Sequence, residues 1–441
     1  MNRRDFLSLI AAPAFAQERK PDATLQIAPL DLEIAPGKIV KTIGYNGSAP
    51  GPLLRFPEGR PVTIEVHNQA SNPELVHWHG LWIPSNVDGS MEEGTPMIRP
   101  GNVARYTFTP RPAGTRWYHT HTMAGRNLNR ATYTGQFGFL YIDAKEEPGA
   151  FDAEVFLALH GWDPYFTTMG DEEGGLEVAY KRFSINSHAL GHGEPIRVKP
   201  GQRVMFRILN ASATLYHRLG LAGHSFQVVA LDGNQVPRPK LVEAIELGPA
   251  ERVDAIVTMD HPGVLVLGEI DDKIRAAGLG VVVEYADRSG EPQWSLPGPW
   301  RWDYTQFGTT SESTTADSTV VPMVFKQKFA GSRWVDHWSV NGAEFPKGKP
   351  IRVEPNKRYR LVFDNQSDEA HPVHLHRHSF ELKRVAGVET RGVMKDVVMV
   401  PPRKQVEVDF VASNPGPTLF HCHQQMHMDY GFMAMIEYSG G

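Results

Sequence analysis

The residues whose types and spacing point most clearly to chemistry lie near the carboxyl end of the chain. They are His421-Cys422-His423, with His427 four positions further on. Successive side chains of an extended strand point to opposite faces. His421 and His423 are therefore predicted to project to one side and Cys422 to the other, so that one strand serves two sites placed back to back. Cys422 is the only cysteine of the sequence and has no intramolecular disulfide partner. A thiolate among imidazoles suits copper or zinc, and we favour this over a buried structural thiol.

The spacing of His421 and His423 recurs in three further pairs, which are His77 and His79, His119 and His121, and His374 and His376. Each pair would place two imidazoles on one face of a strand. Eight imidazoles are far more than a structural zinc site needs, so a cluster is predicted. The sulfur of Cys422 requires two other imidazoles, for which His371 and His427 are the candidates. A His, Cys, His set with a weak or absent axial ligand is the blue-copper arrangement of electron-transfer sites.

The elements that must position these residues repeat three times along the chain. Segments that end at Asn68, Asn210 and Asn365 each have apolar residues two, four and six places before the asparagine, which predicts a half-buried strand. A second strand is predicted after a glycine turn in each copy, over 114–119, 263–268 and 416–421. Three similar β-sandwich domains explain this pattern economically.

The histidine pairs fall unevenly on the three copies. The first and third copies contribute two pairs each, whereas the second has Leu219 and Leu221 at the positions of the first pair. Because two homologous domains supply the imidazoles equally, the cluster is predicted to lie between domains one and three. Domain two would then act as a spacer and as part of the binding surface.

Composition also favours an all-β chain. The 441 residues include 34 prolines and 41 glycines, with many short β-branched runs and little helical periodicity. We predict domains over residues 22–146, 150–288 and 320–441, with a linker over 289–319. The 45 basic residues against 50 acidic ones argue against a nucleic-acid partner. The sequence predicts no particular oligomeric state.

The amino terminus predicts export. The pair Arg3-Arg4, a short apolar run and the small-x-small site Ala14-Phe15-Ala16 describe a twin-arginine signal over residues 1–16. A chance arginine pair is the weaker alternative. The apolar run is far shorter than the roughly 20 residues that span a membrane, so no membrane anchor is expected. We therefore predict a periplasmic or otherwise exported protein.

The four histidine motifs together resemble the copper-binding motifs of the multicopper oxidases, in particular the laccase-like branch. They are His77-Trp78-His79-Gly80, Trp117-Tyr118-His119-Thr120-His121, His371-Pro372-Val373-His374-Leu375-His376 and His421-Cys422-His423 through His427. The motifs occur in the order of that family, and the resemblance extends over all three repeats. It implies three cupredoxin-like domains, each a Greek-key β-sandwich, and four copper ions.

The resemblance also implies how the ligands divide. His77 and His374 would hold the type 2 copper, and the type 3 pair would be held by His79, His119, His121, His376, His421 and His423. The type 1 copper would be bound by His371, Cys422 and His427. The axial position would be Phe432, which does not coordinate copper, with Met433 as the alternative after a shift of one residue.

The function implied is one-electron oxidation of a reductant at the type 1 copper, coupled to four-electron reduction of dioxygen to water at the trinuclear cluster. Electrons would pass from Cys422 through its backbone to His421 and His423. Asp88 occupies the position where the family has a carboxylate near the cluster that delivers protons. Asp88-Gly89 is also a strong turn signal, and both roles are compatible.

Other positions near the motifs give weaker support for proton delivery to the cluster. Some bacterial relatives have a second acid directly after the last type 1 histidine, but here that residue is Met428. Glu92 and Glu93 are predicted to lie in a solvated loop.

The sequence favours small aromatic reductants, namely phenols and arylamines, over metal ions. It lacks a methionine-rich insertion, and the methionines that follow Cys422 are more typical of core packing; they are Met426, Met428, Met433 and Met435. The alternative is that Met426 or Met428 lines the entrance to the site. The alternative is a periplasmic oxidase of cuprous or other metal ions that serves copper tolerance. A two-domain nitrite reductase would have fewer cluster histidines, and a non-enzymatic scaffold would lack Cys422 or several of them.

Overall fold

Strands make up 52% of the described residues and helices 5%, which confirms the all-β prediction. The computed structural model describes residues 20–144, 150–168, 175–310, 318–330 and 334–439. The predicted signal over 1–16 therefore lies outside the described residues, as does the segment 311–317 of the predicted linker. Within that linker, Tyr304 and Phe307 are buried in a 3₁₀ turn over Tyr304–Phe307.

The first domain contains strands β1 to β8, over Ala23–Ala35, Lys38–Tyr45, Leu54–Pro57, Val62–Asn68, Val76–His79, Val103–Phe108, Gly114–Thr120 and Phe137–Asp143. They form two four-stranded sheets, in the orders β2-β1-β4-β6 and β3-β8-β7-β5. Two 3₁₀ turns lie in the connections, over Ser85–Val87 and Ala131–Tyr133. The second sheet carries the histidines of this domain on β5 and β7.

The second domain contains strands β9 to β19, over Ala153–Thr168, Leu176–Ile185, Ile196–Val198, Arg203–Asn210, His217–Leu221, Phe226–Leu231, Asn234–Val242, Ile245–Leu247, Arg252–Thr258, Val264–Glu269 and Gly280–Tyr285. Its sheets have the orders β10-β9-β12-β17-β14-β15 and β11-β19-β18-β13-β16. Helix α1, Asp272–Ala276, follows β18.

The third domain contains strands β20 to β31, over Thr319–Lys328, His337–Val340, Ile351–Val353, Arg358–Asn365, His371–Leu375, Phe380–Val385, Val388–Glu389, Met394–Lys395, Val397–Val400, Gln405–Val411, Thr418–Cys422 and Met433–Tyr438. One sheet has the order β21-β20-β23-β29-β25-β26, with β27 on β25, and the other the order β22-β31-β30-β24-β28. Helix α2, Gln425–Asp429, directly follows β30 and places His427.

The repeated asparagine has the same role in each domain. Asn365 Nδ2 donates to the carbonyl oxygens of Glu369 (2.7 Å) and Val400 (3.1 Å), while its Oδ1 accepts from Ser367 N (3.0 Å). Asn68 and Asn210 make the corresponding side-chain bonds in their own domains. The asparagine thus satisfies the backbone of the loop that follows its strand, which explains why it recurs in the sequence.

The repeated strand is half-buried, as predicted, in the third domain, where β23 alternates strictly between buried and partly exposed residues. The prediction is wrong for β12 in the second domain, where every residue after Arg203 is buried. The outward face of β12 carries Arg207, whose guanidinium lies 4.2 Å from the ring of Tyr141 and bonds Asp254 at 2.8 Å. Contact with the first domain therefore covers this face.

No helix within the described ranges is long and apolar enough to cross a membrane.

Candidate metal centres

Two pairs of adjacent antiparallel strands carry the eight clustered histidines. In the first domain, the register of β5 against β7 sets His77 opposite His119. In the third domain, the register of β24 against β30 sets His374 opposite His421. Each of these strands contributes one His-x-His pair, and the second member of every pair lies at or just beyond the strand end. The alternation of side chains along a strand turns both imidazoles of a pair to the same face.

The structure brings all eight histidines together between domains one and three. Their ring nitrogens form overlapping groups in which all atoms lie within 4.8 Å of one another. The groups are His79, His119 and His423; His121, His376 and His421; and His77, His79 and His374. Each group mixes histidines of the two outer domains, and all eight residues are buried. The cluster therefore depends on the docking of domain one against domain three.

The nitrogens that face the cluster are unsatisfied. Five buried ring nitrogens of the cluster have no hydrogen-bond partner among the described residues, and they are His77 Nε2, His79 Nδ1, His119 Nε2, His374 Nε2 and His423 Nε2. His421 Nε2 instead faces His376 Nε2 at 3.0 Å and His121 Nε2 at 3.5 Å. Buried polar atoms normally have partners. Convergent imidazole nitrogens are satisfied together by metal ions, and copper accepts this donor set.

The opposite ring nitrogens are anchored to the protein. The bonds run from His77 Nδ1 to Asp88 O (2.9 Å), His119 Nδ1 to Thr120 O (2.8 Å), His374 Nδ1 to Asp396 O (2.7 Å) and His421 Nδ1 to Cys422 O (2.9 Å). His79 has the reverse orientation, because its Nε2 bonds Asp396 Oδ1 at 3.0 Å. Such bonds fix the tautomer of each imidazole and leave the other nitrogen available as a ligand.

Burial favours the neutral form of seven of these imidazoles. It lowers the pKa of His121 to about 3, and it holds the pKa of six others well below the ordinary value; they are His79, His119, His374, His376, His421 and His423. Repulsion between neighbouring imidazolium charges lowers these pKa values further. The neutral form is the one that binds a metal.

Cys422 belongs to a second, smaller group. Its Sγ lies 3.5 Å from His427 Nδ1 and 3.8 Å from His371 Nδ1, and these two nitrogens are 3.1 Å apart. Burial raises the pKa of the Cys422 thiol well above its usual range, so a metal would take the place of the thiol proton. One strand thus serves two groups of ligands, since His421 and His423 join the cluster on its other side.

Phe432, rather than Met433, faces the Cys422 group. The ring centroid of Phe432 lies 4.8 Å from that of His371, and Phe432 is fully buried. Met433 instead packs with Leu419 and Met428 in a separate apolar cluster. The other methionines near Cys422 do not form an open entrance, because Met426 and Met428 are both 5% exposed.

Asp88 is both a turn residue and a neighbour of the cluster. Its Oδ2 lies 2.8 Å from His376 Nδ1 and 3.1 Å from His77 Nδ1. Burial alone would raise the pKa of Asp88, but His77 and His376 hold it well below its usual range. Gly89 has φ +98°, and a Cβ there would lie 1.9 Å from Val76 O. The turn at Asp88-Gly89 therefore packs directly on the strand that carries His77.

The prediction that Glu93 lies in a solvated loop is wrong. Glu93 is 2% exposed, its Oε1 accepts a hydrogen bond from Leu419 N at 2.8 Å, and its Oε2 lies 3.3 Å from His376 Nδ1. Burial raises the pKa of Glu93, and the charge of Asp88 raises it further. Glu92 is partly exposed and bonds Ser90. Sequence alone could not separate these two acids, because Glu93 is buried by a strand more than 300 residues away.

Comparisons with known proteins agree with this arrangement. Three family models described as multicopper oxidase match residues 27–147, 170–266 and 319–440. The multicopper oxidase MmcO of Mycobacterium tuberculosis is 30% identical, over 95% of this chain and 87% of its own length. Copper resistance protein A of Escherichia coli is 23% identical, over 94% and 93%. The crystal structure of the laccase from Botrytis aclada has a TM-score of 0.80 at 19% identity, over 95% of this chain and 87% of the laccase.

Proposed function

The chain belongs to the multicopper oxidase family, and we propose that it couples one-electron oxidation of small aromatic reductants, phenols and arylamines, to four-electron reduction of dioxygen to water. Members of the family are copper-binding oxidoreductases that use dioxygen and a reducing substrate. The observation that carries the proposal is the placement of Cys422, whose sulfur joins one group of imidazoles while its two neighbours join the other.

We assign four copper ions to these groups. The type 1 ion would be held by His371, Cys422 and His427, with Phe432 beside it as a residue that does not coordinate. The type 2 ion would be held by His77 and His374, and the type 3 pair by His79, His119 and His423 on one side and His121, His376 and His421 on the other. Copper in these positions supplies the one-electron redox chemistry and the reduction of dioxygen.

The reductant would approach His427. His427 keeps 9% of its side chain exposed, whereas His371 and Cys422 are fully buried. Trp338, 2% exposed, closes the site from one side, with its ring centroid 4.2 Å from that of His427. The exposed edge of the His427 imidazole is therefore the shortest route from solvent to the Cys422 group.

A carboxylate lies beside this edge, and an exposed aromatic residue lies on a neighbouring segment. Glu369 Oε2 is 3.3 Å from His427 Nε2 and can accept the proton that a phenol or arylamine loses on oxidation. Burial raises the pKa of Glu177, and the nearby charge of Glu369 raises it further. Trp334 is 63% exposed, and its carbonyl oxygen accepts a hydrogen bond from Leu176 N, next to Glu177. An exposed indole offers an aromatic reductant a surface for stacking.

Protons for the reduction of dioxygen would be held by Asp88 and Glu93. Burial and the charge of Asp88 raise the pKa of Glu93, whereas His77 and His376 lower the pKa of Asp88, so we assign the proton to Glu93 and the charge to Asp88. Both contact His376, a residue of the cluster. Glu93 would thus supply protons in this chain, where Met428 replaces the acid that some bacterial relatives have directly after the last type 1 histidine.

Oxidation of cuprous or other metal ions is the second candidate, favoured by the similarity to a copper resistance protein and by the acids Glu369 and Glu177. Carboxylate oxygens suit hard cations better than cuprous ion, which prefers thioethers. The thioethers near Cys422 are largely buried, so we favour the aromatic reductants. We further propose that a twin-arginine signal over residues 1–16 directs the protein to the periplasm or exports it otherwise.

The test is oxygen uptake by copper-loaded protein with phenols, arylamines, ferrous ion and cuprous ion at equal concentrations. We expect the highest kcat/KM for the phenols and arylamines. A kcat/KM for cuprous ion above that of every organic reductant would replace this proposal with the metal-ion oxidase.

A further inference from the structure

A fully buried network of charges joins the three domains behind the histidine cluster. Arg116 comes from domain one, Arg252 and Asp232 from domain two, and Asp396 from domain three, and none is more than 1% exposed. Arg252 bonds Asp396 with both ends of its guanidinium, Nη1 to Oδ1 at 2.7 Å and Nη2 to Oδ2 at 2.6 Å. Arg116 Nη1 adds a contact of 3.3 Å to Oδ2. Paired carboxylate and guanidinium groups of this geometry hold one another in a defined orientation.

Asp396 in turn contacts two histidines of the cluster. Its Oδ1 accepts a hydrogen bond from His79 Nε2 at 3.0 Å, and its main-chain oxygen accepts one from His374 Nδ1 at 2.7 Å. These bonds expose opposite nitrogens to the cluster, Nδ1 of His79 and Nε2 of His374. Both of those nitrogens are buried with no hydrogen-bond partner in the described part of the chain. The two rings stack with their centroids 3.8 Å apart.

The main chain at Asp396 is fixed as firmly as its side chain. Asp232 Oδ2 accepts hydrogen bonds from Asp396 N at 3.2 Å and Val397 N at 3.1 Å, and it pairs with Lys395 Nζ at 3.0 Å. Burial opposes the charge of Asp232, but Lys395 and Arg252 lower its pKa, so it remains an anion that can accept these bonds. Domain two therefore holds both the backbone and the carboxylate of Asp396.

The residue after His79 also has to leave room for this network. Gly80 has φ +83°, and a Cβ there would lie 2.7 Å from Asp396 Oδ2 and 2.9 Å from Arg252 Nη2. Only glycine satisfies both the backbone conformation and the close approach. The strand that carries His77 and His79 therefore ends directly against the salt bridge between Asp396 and Arg252.

We propose that Asp396 is a positioning residue for the histidine cluster, because it sets the ring orientations of His79 and His374. Arg252 of domain two holds the carboxylate of Asp396 and thereby helps to fix these orientations. The second domain contributes none of the eight histidines of the cluster. It would nevertheless support the metal site through the salt bridge between Arg252 and Asp396. The inference rests on the proposed function, which makes His79 and His374 copper ligands.

The test compares Asp396→Asn and Arg252→Lys with the control Asp254→Asn. Asp254 is equally buried at the junction of domains one and two, but its described partners are Thr115 (2.8 Å) and Arg207 (2.8 Å) rather than a cluster histidine. Copper per chain is measured by elemental analysis and its retention by competition with a chelator. The blue absorption of the Cys422 site serves as an internal reference in each variant.

We expect Asp396→Asn to retain cluster copper about 10- to 100-fold more weakly than the wild type, the usual effect of removing a partner of a metal-bound imidazole. Arg252→Lys keeps the charge but loses the two-point contact, so it should show a smaller loss in the same direction. The Cys422 site and the Asp254→Asn protein should keep the wild-type copper content.

Wild-type retention at the cluster in Asp396→Asn would overturn the inference. So would equal loss from both sites, or failure of the variants to fold, because these results would give Asp396 a role in general stability only. A wild-type chain that binds no copper would instead refute the proposed function.

Discussion

The carbonyl oxygen of Cys422 accepts a hydrogen bond of 2.9 Å from Nδ1 of His421. The residue whose sulfur belongs to one group of ligands is thus bonded, through its own peptide, to an imidazole of the other group. Two connections therefore run between the groups, one through the covalent backbone and one through this hydrogen bond. Neither depends on side-chain motion, since both residues are buried.

Glu369→Gln should lower kcat/KM for phenols about 10-fold, since the amide cannot accept the phenolic proton and a hydrogen bond to a charged group contributes about 1.5 kcal/mol. Oxidation of the anion ferrocyanide, which releases no proton, should be unchanged or faster. The control is Asp368→Asn, a 71%-exposed neighbour paired with Arg403. A uniform loss with both reductants would argue against a role of Glu369 in proton acceptance.

Glu93→Gln should reduce kcat about 10- to 100-fold with little change in copper content, because the amide keeps the acceptor for Leu419 N but cannot release a proton. Oxygen uptake is measured at saturating reductant, together with copper per chain. Glu92→Gln, at the partly exposed acid next to it, should behave as the wild type. If the two variants lose activity equally, Glu93 is not a proton donor.

Phe432→Met should lower the reduction potential of the Cys422 site, because a thioether near the metal stabilises the oxidised ion. Redox titration followed by the blue absorption measures the potential. Met433→Leu should leave it unchanged, since Met433 packs in a separate cluster. An unchanged potential in Phe432→Met, with the shift appearing in the Met433 variant, would reverse the axial assignment.

His160→Asn tests a pH dependence of stability outside the metal sites. Burial lowers the pKa of His160 from 6.5 to about 4, and its Nδ1 donates to Ala211 O at 2.8 Å. Between these pH values the unfolded chain binds a proton that the folded chain does not, so the free energy of unfolding falls as the pH decreases from 6.5 to about 4.

The asparagine amide can keep the bond to Ala211 O but does not titrate. The slope of unfolding free energy against pH should therefore be smaller in the variant, by up to about 1.4 kcal/mol per pH unit. Denaturant unfolding of the copper-free protein at several pH values measures this slope. Identical slopes in the two proteins would show that folding does not lower the pKa of His160.

The sequence predicts which imidazoles share a face because strand alternation links residue spacing to side-chain direction. His77 and His79, or His421 and His423, need only an extended backbone to face the same way. The repeated asparagines likewise mark equivalent strand ends, since each satisfies the backbone next to it.

The local sequence pattern does not predict contacts that a residue makes with another domain. Glu93 has the sequence context of a solvated loop but is bonded by Leu419 N, 326 positions away, and Asp396 contacts His79 across 317 positions. Arg207 similarly lies on the face of its strand that the alternating pattern predicts to be exposed, but Tyr141 of the first domain packs on its guanidinium. Local pattern determines which way a side chain points, but it does not show which distant segment it meets.

The most direct test of the link between the two groups is Cys422→Ser, measured for copper content and for oxygen uptake with a phenol. We expect the variant to lose the blue absorption and one copper ion while the cluster keeps its own copper, and oxygen uptake should fall to that of copper-free protein. Wild-type uptake by a variant that lacks the blue site would contradict the coupling of reductant to dioxygen through Cys422.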